Sequence, residues 1–266
     1  TYDVTISGGD LAGFNGTVNL NLSGTPTITD LATNALPAGE PSTDQTYTVA
    51  NSAPTVTINK AGGQADPTNT SPIEFTVVFS ETVTGFDETD VSISGIAGTP
   101  TVIVTGTGPT YTVSVSGMVS GETVTASIPA NAAQDTASNN SAASTSTDNS
   151  VVYDTSAPTI TINDPNTSPA TSKTITTSVS DGTLTMSNTS GSTCDGTLTF
   201  VAYSSQTFSL ESDNGTKVCY KAVDALGNTG YIMSNAITGI DTSAPSVTSF
   251  TLKTPPTSPT NADTLT

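Results

Sequence analysis

One phrase returns three times in this chain, and it limits what the chain can fold into. "STDQTYTVANSAPTVTIN" (42–59), "STDNSVVYDTSAPTITIN" (146–163) and "NAITGIDTSAPSVTSF" (235–250) each join two strand-like runs through Ser-Ala-Pro. The joint prolines Pro54, Pro158 and Pro245 recur at intervals close to the ~100 residues of one small β-sandwich. Self-similarity at such a period marks an array of structural repeats. An array of this kind is a spacer or a fibre before it is a catalyst.

Between the joints the hydrophobic period is two. Ile73, Phe75, Val77 and Phe79 alternate with small or polar residues, apart from Val78. Tyr111, Val113 and Val115 alternate likewise, as do Val124, Ala126 and Ile128. Alternation of this kind buries one face of a strand and wets the other. Shorter runs at Val56/Ile58, Val91/Ile93, Val102/Val104 and Val151/Tyr153 bring the expected strands between the first two joints to seven. The next repeat is expected to hold strands over Thr159–Asn163, Ser172–Ser180, Thr183–Ser187, Gly196–Tyr203, Gln206–Ser212, Thr216–Asp224 and Asn235–Asp241. Gly, Pro, Asn and Asp separate them. The expected fold is all-β, a tandem of immunoglobulin-like β-sandwich domains.

The repeat also sets boundaries. "TYDVTISG" (1–8) matches "TYTVSVSG" (110–117), so residues 1–53 read as the C-terminal half of a repeat. Residues 54–157 and 158–244 read as complete repeats, the latter with a disulfide, and 245–266 as the start of another. The expectation is a segment of a longer chain or assembly.

"VVFSETVTGFDETDVSISG" (77–95), "VDALGNTG" (223–230) and "YDTSAPTITI" (153–162) carry a resemblance over essentially the whole chain. It resembles the tandem bacterial immunoglobulin-like repeats of very large secreted surface proteins and adhesins. The resemblance implies an extracellular structural stalk, with calcium near the domain joints. The antibody-type core is absent, since the chain has no Trp to face a disulfide.

Charge excludes several partners. Five lysines stand against 23 acidic residues, with no histidine, for a net charge of −18. Such a chain repels nucleic acid and anionic membrane surfaces. It suits solubility outside a cell, or binding of divalent cations. No stretch approaches the ~20 apolar residues of a membrane-spanning helix, so no membrane insertion is expected in this segment. Without histidine there is no Ser-His-Asp or Cys-His catalytic group and no His-ligated zinc. No phosphate-cradling G-x-x-x-x-G-K loop occurs. The chain is expected not to be an enzyme.

Two groups of residues remain as candidate sites. Cys194 and Cys219 are expected to form a disulfide in an oxidising, extracellular setting, two free thiols being the alternative. In "TKVCYKAVD" the buried face is Val218, Tyr220 and Ala222, so the bond would clamp a loop onto the outer face beside Lys221. Asp87 and Asp90 in "GFDETD", and Asp154 and Asp241 before the joints, are candidate calcium ligands, calcium being the one cofactor the sequence suggests. Equally, these residues suit Asx turns and caps. The spacing Asp-x-x-x-Asn at Asp30/Asn34, Asp135/Asn139 and Asp224/Asn228 reads as a hairpin turn.

The leading expectation is a non-enzymatic stalk or spacer segment of a large extracellular bacterial surface protein or adhesin. Its partners would be neighbouring repeats of the same long chain or identical chains. The alternative is a self-assembling extracellular filament or sheath subunit, completed by strands of a neighbouring chain. A sugar-binding module is a third class, disfavoured by the missing Trp.

Overall fold

The structure is a computed structural model that describes residues 46–249, 13–19 and 27–37, together with residues 5, 7 and 11. The opening run at 1–4 and the tail from 250 onward, expected to begin a further repeat, lie outside the described residues. The chain divides into two compact units, Thr1–Ser156 and Ala157–Thr266.

The first unit begins with an antiparallel ribbon of β1 (Gly16–Asn19) and β2 (Thr46–Val49), with Gly16 opposite Val49. Beyond the Pro54 joint come β3 (Val56–Lys60), β4 (Ile73–Phe79), β5 (Ser92–Ser94), β6 (Thr101–Thr107), β7 (Thr110–Ser116), β8 (Glu122–Ser127) and β9 (Ser150–Tyr153). They form two antiparallel sheets, β3-β4-β7-β6 and β5-β8-β9. Register follows the alternation: Ile73 pairs with Val115, Phe75 with Val113 and Val77 with Tyr111. A one-residue slip would turn all of these outward. Val124, Ala126 and Val151 of the second sheet enter the same core. Phe79, Phe86 and Tyr111 close one end edge to face, their ring centroids 5.0–6.0 Å apart.

Residues 142–148 run along the free edge of β3. Ala142 N donates to Pro54 O at 2.9 Å, Thr145 N to Val56 O at 3.0 Å, and Lys60 N to Asp148 O at 2.6 Å. The Asn59 side chain accepts from Thr147 N and Asp148 N. This stretch forms no named strand, yet it covers the edge and takes up part of its hydrogen bonding, Ile58 N donating to Ser146 Oγ as well.

The second unit holds β10 (Ile160–Asn163), β11 (Lys173–Val179), β12 (Thr183–Thr189), β13 (Val201–Ala202), β14 (Gln206–Phe208), β15 (Lys217–Val223) and β16 (Thr229–Met233). Its sheets are β10-β11-β14 and β13-β12-β15-β16, both antiparallel. The core gathers Ile160, Ile175, Met186, Phe208, Val218, Tyr220, Ala222, Ile237 and Ile240.

Three strand expectations are corrected here. The last strand is Thr229–Met233, not Asn235–Asp241, because the turn after Val223 returns the chain at once and pairing starts beside it. Ser234–Ile237 continues irregularly along β15, with Ser234 N donating to Val218 O and Ile237 N to Thr216 O. The expected strand over Gly196–Tyr203 shrinks to two residues, since the preceding loop is tied to the sheet face. Gln206–Ser212 is strand only to Phe208, then enters a 3₁₀ turn at Glu211–Asp213.

Candidate functional site

The recurring structure lies at the joints. A residue followed by glycine stands at the start of the strand that leads into the last part of each repeat: Asn15-Gly16 where β1 opens, Ser120-Gly121 before β8 and Asn214-Gly215 before β15. All three glycines have positive φ, at 145°, 87° and 93°, a region open to glycine at little cost. The residue before each glycine is thereby aimed at the segment running into the next joint. Asn15 Oδ1 accepts from Asn51 N at 2.6 Å and Ser52 N at 3.1 Å. Ser120 Oγ accepts from Thr155 N at 2.8 Å and donates to Asp154 Oδ1 at 3.0 Å. Asn214 both accepts from Ile240 N at 3.1 Å and donates to Ile240 O at 3.0 Å.

Further groups reinforce these clamps. Asn51 Nδ2 donates to Leu11 O and Phe14 O. Glu211 accepts from Ser243 Oγ at 2.7 Å, Thr242 N at 3.0 Å and Thr242 Oγ1 at 3.3 Å. These bonds, the Ser243 hydroxyl foremost, hold the Glu211 carboxyl below its ordinary value. The exit segment of each repeat is thus fastened to its own fold before the proline is reached.

The Asp-x-x-x-Asn turns form a second repeated device. In each, one Asp oxygen accepts from the backbone N–H groups two and four residues on: Ala32 and Asn34, Ala137 and Asn139, Leu226 and Asn228. The other oxygen accepts from the Asn side chain at 2.8–2.9 Å. The residue before each Asn has positive φ: Thr33 at 66°, Ser138 at 69° and Gly227 at 88°. Only the last is glycine, so the Asp hydrogen bonds accompany an unfavoured backbone at the other two. The Asn side-chain bond is the main cause lowering the Asp30 and Asp135 carboxyls. At Asp224 burial pushes upward, and the bonds from Asn228, Leu226 and Gly227 more than offset it.

Cys194 and Cys219 are bonded, with Cα atoms 5.4 Å apart. Val218, Tyr220 and Ala222 of β15 enter the core. Cys219 lies between them in sequence and is 0% exposed. It belongs to the opposite face, where the loop carrying Cys194 covers it. Beside the bond, Phe200 packs on Tyr231 at 6.0 Å, and Lys221 Nζ sits 5.7 Å from the Phe200 ring centre. The disulfide, two aromatics and the cation make a small cover on the outer sheet face.

The four aspartates considered for calcium are not gathered. Asp87 and Asp90 share one turn and cap it: Asp87 Oδ1 accepts from Thr89 N and Thr89 Oγ1, and Asp90 Oδ2 from Asp87 N. The Thr89 hydroxyl is the main cause lowering the Asp87 carboxyl. Asp154 Oδ1 accepts from Ser156 N in the first unit, and Asp241 Oδ1 from Ser243 N in the second. Among the described residues no three acidic, His or Cys side chains converge. Calcium takes six to eight oxygens, and these carboxylates as placed do not by themselves build such a cage. They fit the closing of turns.

Sequence reasoning missed the clamps at Asn15, Ser120 and Asn214, although the shared x-Gly step was a usable signal. Lys173 sits in no convincingly apolar run of the sequence, yet it is only 4% exposed. Its ammonium donates to Asn166 O at 2.7 Å and to Ser168 O. Alternation with Ile175 on β11 points it inward.

No family model and no curated protein matches this chain. Among the described residues no helix is long and apolar enough to cross a membrane.

Proposed function

We propose that this chain is a non-enzymatic stalk or spacer segment of an extracellular bacterial surface protein, built from immunoglobulin-like sandwiches. The strand orders support the sandwich reading. Taken as A to G, β3 to β9 fall into A-B-E-D and C-F-G, the constant-type arrangement. The second unit orders as A-B-E and a four-stranded C-type sheet. The observation that carries the functional reading is the clamp repeated at Asn15, Ser120 and Asn214. A spacer needs each exit segment fixed to its repeat, and the next repeat starts at a proline whose φ is already restricted. The disulfide suits an oxidising setting outside the cell.

Small-angle scattering on the full chain tests this reading. The expected result is one stable set of dimensions, broadened in a Ser120→Ala variant. A wild-type profile of freely jointed beads refutes the spacer.

A filament or sheath subunit is the second reading. Its support is the ribbon β1–β2, where Tyr47 is 68% exposed while Val151, at the matching place in β9, is 0% exposed. A two-stranded ribbon is marginal without further strands. Concentration-dependent assembly in analytical ultracentrifugation favours this reading, and a monomer at all concentrations removes it.

A further inference from the structure

Three side-chain oxygens in the second unit are shut off from solvent and lack a hydrogen-bond partner: Asp164 Oδ1, Thr177 Oγ1 and Tyr220 Oη. They come from separate elements. Asp164 follows β10, Thr177 is the third inward position of β11 after Lys173 and Ile175, and Tyr220 is an inward residue of β15. Asp164 is fixed by its other oxygen, which accepts from Asn235 N at 3.2 Å and Asn235 Nδ2 at 2.8 Å. Tyr220 is 0% exposed. Its ring lies 6.2 Å from that of Tyr203, whose hydroxyl accepts from Thr177 N at 3.1 Å.

These groups are close enough to act on one another. Burial, together with the Tyr203 and Asp164 charges and against the pull of the Thr177 hydroxyl, raises the Tyr220 phenol above its ordinary value. It is therefore a protonated donor at neutral pH. Yet the Thr177 and Tyr220 oxygens do not meet in hydrogen-bond geometry. At the matching places of the first unit the side chains are apolar: the third inward position of β4 is Val77, and Ala126 of β8 takes the place of Tyr220, both 0% exposed.

The donor count selects the ligand. Two hydroxyls need acceptors and one carboxylate oxygen needs a donor. A cation would draw on the carboxylate and the hydroxyl lone pairs and leave both hydroxyl protons without an acceptor. Water accepts from both hydroxyls and donates to the carboxylate. We propose that Asp164, Thr177 and Tyr220 form a binding site for one internal water molecule, which links β10 and β11 of one sheet to β15 of the other.

A high-resolution crystal structure of the oxidised full chain, with thermal unfolding of Tyr220→Phe, tests this. The expected result is one density peak ~2.6–3.2 Å from all three oxygens. The melting temperature of the second unit should fall in Tyr220→Phe, with the peak weakened or gone. A melting temperature unchanged or raised overturns the site, because deleting a dry, unbonded hydroxyl relieves a penalty. So does wild-type density with no peak, or with Thr177 bonded directly to Tyr220. A peak ringed by six or more oxygens at ~2.3–2.6 Å marks a metal ion and overturns it as well.

Discussion

Asn139 Nδ2 reaches back 89 residues to Ala50 O, 2.8 Å away, and the same nitrogen donates to Asp135 Oδ2 at 2.8 Å. One side chain thus closes a turn late in its repeat and holds the backbone just ahead of Pro54.

Replacing Asn139 by Ala removes both bonds and is expected to cost the first unit about 1–2 kcal/mol in thermal unfolding. Amide exchange at Asn51 and Ser52 should quicken as the segment ahead of Pro54 loosens. Asn139→Asp should be worse at neutral pH, where a second carboxylate faces Asp135, and the deficit should shrink in acid. Equal behaviour of the two variants at pH 7 would contradict this account.

Removing the disulfide with Cys194→Ser and Cys219→Ser frees a loop spanning 25 residues. The chain-entropy model gives ~3–4 kcal/mol for such a closure. Calorimetry should show one transition lowered, that of the second unit, while the first unit melts as before. Two transitions shifted equally would count against the two-unit description.

Acid should destabilise the fold within a defined window. The Asp30, Asp87, Asp135 and Asp224 carboxyls are lowered from 3.8, and Glu211 from 4.5. A lowered folded value means that the unfolded chain takes up protons first. The stabilisation is therefore complete above the ordinary values and is lost as pH falls through the lowered ones. Stability should be nearly level between neutral pH and about 5, then drop steeply below about 4. Asp135→Asn should flatten part of that drop, and an unchanged acid limb would refute the assignment.

Two glycine substitutions should differ sharply. Gly95 has φ of +82°, and an added Cβ would run into the Thr123 carbonyl oxygen. Gly95→Ala should destabilise the first unit by more than about 1 kcal/mol. Gly62 has open space around it, so Gly62→Ala should stay within about 0.5 kcal/mol of the parent. Urea midpoints compare the pair.

Much of residues 54–157 was legible because the strands there alternate cleanly. Ile73, Phe75, Val77 and Phe79 announce β4, and all seven expected strands there have counterparts. The second repeat was less legible where tertiary ties override local pattern. The Cys194 bond keeps most of Gly196–Tyr203 out of the sheet, and the apolar Ile237 and Ile240 fill the core from irregular backbone. Lys173 is hidden from sequence reading because its partners are backbone carbonyls, which composition does not report. The clamps were obscured for a different reason: Asn15, Ser120 and Asn214 are not all one residue type, and what unites them is a position before glycine.

The stretch 142–148 laid along β3 has a consequence for crowding. Repeats this alike in sequence, held on one polypeptide, meet each other's strands at high local concentration. An open β3 edge would invite pairing with a strand from elsewhere in the chain or from another chain. With Pro54 O, Val56 O, Ile58 N and Lys60 N already bonded to 142–148 of the same chain, that edge offers a neighbour far less to add to.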